Sequence, residues 1–275
     1  MKIALMVHAR RADAVSHARR IALRLLDAGV QVMAEDDAAE LVGVPYFTED
    51  EQADVIISLG GDGTFLRGAQ FALKWDAALL GVNLGRVGFL AEVEPDSIDD
   101  ALTAVVTGRY ETETRPVLRV QAAGETWYAL NDVVISRGGY SRLISIDALV
   151  DGDSAGRYVA DGVIVATPTG STGYCLSAGG PVVSPKVDCM IITPICAHTL
   201  QHRPCVVHGG ADIRLELSPD DEQSAALEVD GQSHLLLSAG SHVHVHRDEK
   251  SLRMIRLKER RFFQLVRGKL TEWTR

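Results

Sequence analysis

"VIISLGGDGTFLRGAQFAL", residues 55–73, runs from an apolar segment through three glycines into a pattern of helical spacing. Strand, glycine turn and helix in that order are how an α/β phosphate-binding unit begins, because the turn amides and the helix start offer a positive pole to an anion. Gly60, Gly61 and Gly63 permit backbone angles and close approaches that a Cβ would forbid. Asp62 departs from this logic by placing a carboxylate where a phosphate would rest. A Walker-type loop would supply lysine and serine or threonine as GxxxxGK[ST], and the chain has no such run. Two readings remain for Asp62. It is a general base that takes a proton from a substrate hydroxyl as that oxygen attacks a phosphoryl group, or it closes a type I turn on its own backbone.

Outward from this turn, the first hundred residues alternate strand-like and helix-like segments, which predicts an α/β domain with a parallel sheet. "KIALMV", "VQVM", "DVIISL" and "ALLGVN" read as strands. Residues 13–28 place Val15, Ala18, Ile21, Ala22, Leu25 and Leu26 on one helical face, with Gly29 suited to a left-handed stop. Helices are also expected at 64–73 and, after Pro95, at 96–106.

From about residue 114 short β-branched runs with turn residues between them replace helical periodicity, as expected for a mostly antiparallel β-sandwich. The domains expected are 1–110, α/β with the GGDGT turn; 111–257, β; and 258–275, a helix-like tail packing on the first domain through Phe262, Phe263, Leu265 and Val266.

The net charge of −9 argues against general nucleic-acid binding, which needs clustered Lys and Arg. The longest apolar runs are too short for a bilayer-spanning helix, and no signal-peptide core follows Lys2, so no membrane partner and a cytoplasmic location are expected. Cys175, Cys189, Cys196 and Cys205 form no CxxC pair and read as reduced, buried thiols. His242, His244 and His246 alternate with valines and read as one partly exposed strand face, not as a metal site.

Two further constellations are polar. In "DGVIVATPTGSTGYCLSAGGP", Asp161 precedes an apolar strand that ends in Thr167, Thr169, Ser171, Thr172, Tyr174 and Ser177, interleaved with Gly170 and Gly173. Such a loop can cradle sugar hydroxyls and phosphates, with Tyr174 available for ring contact, or it is a plain Ser/Thr-rich connection. Asn131 and Asp132 open an otherwise apolar strand, as ligand contacts or as the end of a turn.

With "GVNLGRVGFL" (81–90), "ALNDVVI" (129–135), "SAGGPVVSP" (177–185), "ITPICAHTLQHRPCVV" (192–207), "VDGQ" (229–232) and the "FFQLVRGKL" ending, these motifs resemble bacterial NAD kinases over nearly the whole chain. GGDGT is shared with diacylglycerol kinases, sphingosine kinases and phosphofructokinases, whereas the TPTGST block and the asparagine–acid pair, in this order, are specific. The resemblance implies transfer of the terminal phosphoryl of ATP, or of polyphosphate, to the 2′-hydroxyl of the NAD adenosine ribose, with Mg²⁺ or another divalent cation accompanying the donor. It implies Asp62 as the catalytic base and Gly61, Gly63, Thr64, Asn131, Asp132, Asp161, Thr169, Thr172, Gly173, Tyr174 and Ser177 as substrate contacts. Arg67, Phe89, Arg142 and Gln232 fall where the family often places further ones. No metal ligand is assigned, and a homotetramer is expected.

This chain departs from the family pattern in three places: Asp132 stands for a common Glu, Gly173 for a common Ala, and Val159 for a basic residue in several members. The rivals are a lipid or sugar kinase sharing the GGDGT turn and a non-catalytic NAD(P)-binding regulator.

Overall fold

The computed structural model describes residues 1–48, 50–85, 88–138, 143–198, 202–220, 224–258 and 262–272. The chain divides into two units, Met1–Thr114 with Leu252–Arg275, and Arg115–Ser251.

The first unit begins with β1 (Lys2–Val7), α1 (Ala12–Asp27), β2 (Gln31–Ala34), α2 (Asp36–Val42), β3 (Val55–Gly60), α3 (Asp62–Trp75), β4 (Ala78–Asn83) and α4 (Ile98–Val106). Parallel pairing gives the order β2-β1-β3-β4. β3 and β4 are buried at every position, which is why "VIISLG" and "ALLGVN" read as continuous apolar runs. α1 buries Ala14, Ala18, Ile21, Ala22 and Leu25, spacings that keep one face inward. Leu26, assigned to that face by its spacing, is instead exposed, and Ala14 takes a place on it. Gly29 follows at φ 76° with its amide on the Leu26 carbonyl, so the left-handed stop forms. α2 was not anticipated; at seven residues it is too short to show a period.

The second unit is a sandwich of antiparallel strands. Its elements are β5 (Glu111–Ala122), which starts in the first unit, β6 (Glu125–Ala129), β7 (Asp132–Arg137), β8 (Ile144–Val150), β9 (Asp153–Ala160), β10 (Gly162–Ala166), α5 (Tyr174–Ser177), β11 (Cys189–Ile195), β12 (Cys205–His208), β13 (Ile213–Leu217), β14 (Ala225–Val229) and β15 (Gln232–Leu237). β16 (His242–Arg256) begins here and ends in the first unit, where Arg253 and Met254 pair with Ala78 and Leu79 of β4. One sheet runs β12-β11-β10-β7-β14-β15, and β8 pairs with β9 and β13 in the other.

Val133, Ile135, Val163, Val165, Met190 and Ile192 point into the core shared by the two sheets. The alternate residues Val134, Ile164, Ala166 and Ile191 form a second cluster with Cys175, Ala178 and Val183. The segment around α5 therefore covers the outer face of β7, β10 and β11, so these strands are apolar on both faces.

The last helix, α6 (Phe262–Glu272), buries Val266 but leaves Phe263 67% exposed, so not every apolar residue of the tail is packed. Cys175 and Cys189 are buried free thiols, whereas Cys196 and Cys205 are exposed, correcting the reading of all four as buried. His242 is exposed and His244 and His246 are half-buried, between Val243 and Val245, which are fully buried. Among the described residues no helix is long and apolar enough to cross a membrane.

Candidate active site

In the first unit Asp62 is the first residue of α3, after Gly61 in extended conformation. Its half-buried carboxylate does not cap its own helix. Oδ2 accepts the Phe89 amide at 2.9 Å and Oδ1 the Leu90 amide at 3.3 Å. This excludes the local-turn reading, since the partners lie 27 and 28 residues away along the chain. A carboxylate receiving two amides at a helix N-terminus is oriented by both the bonds and the helix dipole.

Gly88 was missed as a site residue. A Cβ there would lie 2.4 Å from Asp62 Oδ1, so the carboxylate can lie against this loop only because residue 88 has no side chain. The signal was present in "GVNLGRVGFL", but which glycine faces Asp62 is a tertiary fact. Gly61 and Gly63 are different, because a Cβ on either would meet nothing within 4 Å. Glycine there keeps space open beside Asp62.

Thr64 is buried, and its side chain fills the position of a Gly60 Cβ, so it packs the turn. Arg67 sends Nη2 to Glu35 Oε2 at 2.9 Å and to the Val7 carbonyl at 3.3 Å, and Nε to Glu35 Oε1 at 3.3 Å. It thereby ties α3 to the ends of β1 and β2. Burial raises the Glu35 carboxyl above its usual range in spite of this cation. Phe89 is half-buried, and its amide is already engaged with Asp62.

In the second unit three strand ends meet. Asp132 starts β7, opposite Ala166 at the end of β10, and Val133 lies opposite Val229 at the end of β14. The next residue, Asp230, was also missed. Buried to 8% exposure, its carboxylate accepts the amides of Leu130 at 2.8 Å, Asn131 at 2.8 Å and Asp132 at 3.2 Å. Asp230 and Gly231 have φ of 48° and 76°, the two-residue hairpin turn between β14 and β15 for which Asp-Gly is suited. Sequence presents this pair as a turn; its second task, pinning a segment about a hundred residues away, leaves no local trace.

Asp132 is 6% exposed, and its carboxyl has no hydrogen-bond or ion-pair partner among the described residues. Burial, then the charges of Asp230 and Glu228, push it up to about 7. Burial also raises Asp230, against the three amides that favour its charge. Those amides make Asp230 the better holder of negative charge, so Asp132 takes the proton first. Asn131 Oδ1 is likewise buried without a partner. Asn131 Oδ1 and the Asp132 carboxyl are adjacent polar groups with no partner among the described residues.

The TPTGST loop uses much of its polarity internally. Thr167 Oγ1 donates to the Leu130 carbonyl at 2.6 Å and accepts the Gly170 amide at 3.1 Å. Ser171 Oγ bonds the Pro168 carbonyl at 2.7 Å and accepts the Val183 amide at 3.1 Å. Thr172 Oγ1 donates to the Thr169 carbonyl at 3.3 Å, and Thr169 is buried beside Arg115 Nη1 at 3.5 Å. A Cβ on Gly170 would lie 2.1 Å from the Asn131 carbonyl oxygen, so glycine is required for the loop to reach the strand end. Of the two readings of this loop, the plain connection accounts for Thr167, Ser171 and Thr172, whose hydroxyls bond backbone groups of the protein.

Gly173 faces Asn131 Nδ2 and Asp132 Oδ2, at 3.6 and 3.7 Å from its missing Cβ. Tyr174 is 47% exposed and Ser177 is exposed. Burial raises the Tyr174 phenol, with lesser contributions from Cys196, Glu228, Asp161 and Asp132, so it feels acids at both ends of β10. Asp161 lies at the far end of that strand, paired with Arg137 at 3.3 Å, about 17 Å from Asp132 by strand rise. The exposed Gln232 follows the Asp230–Gly231 turn. Arg142 lies outside the described residues. Val159, where a basic residue was noted as missing, is not replaced by Arg157, which pairs with Asp147 at 2.7 Å.

Residues 41–110 match the family model described as the ATP-NAD kinase N-terminal domain, and residues 130–257 that of the ATP-NAD kinase C-terminal domain. An NAD kinase of Geotalea daltonii is 37% identical over 98% of this chain and 98% of its own length. Among solved structures, an NAD kinase from Archaeoglobus fulgidus in complex with ATP aligns at a TM-score of 0.77 and 29% identity, covering 98% of this chain and 99% of that one. Yeast NADH kinase complexed with NADH aligns at a TM-score of 0.88, covering 98% and 87%, and at 24% identity shows the fold alone. With both domain models matched and a relative aligned end to end, the chain belongs to the ATP-NAD kinase family.

Proposed function

We propose that this protein is an NAD kinase, transferring the terminal phosphoryl group of ATP to the 2′-hydroxyl of the NAD adenosine ribose. The observation that carries the reading beyond family membership is a pair of polar groups in the second unit without a partner among the described residues, Asn131 Oδ1 and the buried Asp132 carboxyl. With a proton retained near neutral pH, Asp132 offers both a donor and an acceptor, which suits a ribose hydroxyl or a carboxamide. An extended ligand running from Asp132 towards Asp161 would pass Tyr174, whose exposed ring is available for stacking.

Asp62 is the general base. The Phe89 and Leu90 amides fix its carboxylate, leaving further lone pairs to take the 2′-hydroxyl proton as the oxygen bonds to phosphorus. The bond from phosphorus to the bridging oxygen breaks, ADP departs with that electron pair, and the proton passes from Asp62 to solvent. The open space at Gly61 and Gly63 admits the reacting groups, and the first amides of α3 favour the transferring anion.

A divalent cation fits as a companion of the nucleotide, because a phosphate chain beside the Asp62 carboxylate needs its charge offset and Asp62 retains lone pairs beside an open turn. When bound it would be held by phosphate oxygens and Asp62 and would offset the phosphate charge. Use of polyphosphate as donor and a homotetrameric assembly belong to the same proposal and rest on the sequence resemblance, and a cytoplasmic location rests on the sequence expectation.

The test incubates the protein with Mg²⁺ and ATP, then separately with polyphosphate, offering NAD or diacylglycerol, and measures NADP and phospholipid. NADP formation is expected. Phosphorylated lipid without NADP would replace this reading with the lipid-kinase one, and tight NADP binding without transfer from either donor would leave a regulator.

A further inference from the structure

Arg256, the last residue of β16, is 8% exposed and lies between two carboxylates of its own unit. Its Nε donates to Glu113 Oε2 at 2.6 Å and its Nη1 to Glu92 Oε2 at 3.0 Å. Glu92 has a side chain only 6% exposed, and its second oxygen accepts the Leu257 amide at 3.4 Å. We infer that Arg256 is a positioning residue for the phosphoryl transfer: through Glu92 it fixes the segment whose amides hold Asp62.

The connection is short and has little slack. Arg256 holds Glu92, and only Ala91 separates Glu92 from Leu90, whose amide, with that of Phe89, reaches the Asp62 carboxylate. The Glu92 and Val93 amides both donate to the Gly81 carbonyl, at 2.9 and 3.0 Å, and the Val93 carbonyl accepts the Asn83 amide at 2.8 Å. On the other side, Ala91 Cα lies 2.8 Å from where a Gly81 Cβ would stand. The 88–93 segment is thus pressed onto β4 and gripped at one end by Asp62 and at the other by Arg256. A planar guanidinium reaching two carboxylates along different edges fixes direction as well as charge, which a lysine ammonium cannot reproduce. Movement at Glu92 is therefore passed to the amides that aim the base.

This inference rests on Asp62 acting as the base. The experiment compares full-length Arg256→Lys and Glu92→Gln with wild type, with Arg253→Gln as a control. Arg253 lies on the same strand and pairs with Asp76 at 3.3 Å, away from the 88–93 segment. Melting temperature, kcat and the KM for NAD and ATP are read for each. In folded protein, Arg256→Lys is expected to lower kcat about tenfold, the effect of a misaimed group, with both KM values within about twofold. Glu92→Gln, which keeps the side-chain shape, is expected to do the same more weakly, and Arg253→Gln to leave kcat unchanged. A purely structural ion pair would lower the melting temperature and spare kcat of the folded molecules. That result in both variants, or an equal loss in Arg253→Gln, would overturn the inference. If Arg256→Lys does not fold, Glu92→Gln decides alone. Asp62→Asn, run beside them, separates the two failures: normal turnover there removes the base itself, whereas a loss there with normal Arg256→Lys removes only the brace.

Discussion

The Asp62 carboxylate in one unit and the Asp132 carboxyl in the other are provided for in opposite ways. Asp62 receives two backbone amides from a loop that a missing side chain at Gly88 allows against it. Asp132 is more deeply buried and its carboxyl receives no hydrogen bond among the described residues, while its neighbour Asp230 collects three amides. The first arrangement aims a charge. The second withholds a partner and raises the group towards neutrality, leaving a donor–acceptor for a ligand. Under the proposed function one acid reacts and the other holds, and each expected outcome below acts on one side of that contrast.

The largest effect is expected at the reacting side. Asp62→Asn removes the base and should lower NADP formation at saturating substrates about a hundredfold or more. On the holding side, Asp230→Ala leaves the amides of Leu130, Asn131 and Asp132 without their acceptor. Urea denaturation should show a loss of about 3 kcal/mol for three buried donors. A loss below about 1 kcal/mol would mean that Asp230 is not the anchor.

Asp132 links the contrast to pH. Its folded-state value, about 7, lies above the ordinary 3.8, so its stabilising contribution is complete below about pH 4 and is lost as pH rises through about 7. Asp132→Asn cannot ionise, and it should therefore gain about 4 kcal/mol on wild type between pH 4 and pH 8 in urea titrations. Parallel stability curves for the two proteins would show that Asp132 is ionised when folded.

Two glycine substitutions give smaller effects. Gly88→Ala puts a methyl group into Asp62 Oδ1 and should lower kcat about tenfold with KM for NAD little changed. Gly173→Ala meets nothing closer than 3.3 Å and should alter NAD affinity by no more than about twofold. A large loss at Gly173 would show that the ligand itself, not the protein, occupies that space.

Glycine spacing and strand-like runs made the turn at Gly60, Gly61 and Gly63 legible, because strand, turn and helix are local. What Asp62 bonds to was not, since the Phe89 and Leu90 amides are brought to it by β4 and the segment after it. Asp230 was hidden for the same reason: an Asp-Gly pair suits a hairpin turn by itself, and the carboxylate's three distant amides exist only once β7 and β14 pair. The TPTGST loop shows the reverse situation. Its hydroxyls could be read as a ligand cradle or as a plain connection, and Thr167 and Ser171 bond the Leu130 and Pro168 carbonyls, because a loop covering an apolar sheet face must have its polar atoms satisfied by the protein. Exposed Cys196 and Cys205 are a milder case, in which residue type outweighed position.

The division between reacting and holding acids is tested most directly by calorimetric NAD binding to Asp62→Asn and Asp132→Ala. Among the described residues the Asp132 carboxyl has no partner to leave unpaired, so its truncation should yield a folded protein. The account predicts that Asp62→Asn binds NAD within about threefold of wild type, while Asp132→Ala binds at least about tenfold more weakly, the loss of one good hydrogen bond to a ligand. Equal losses in both variants, or wild-type affinity in Asp132→Ala, would contradict it.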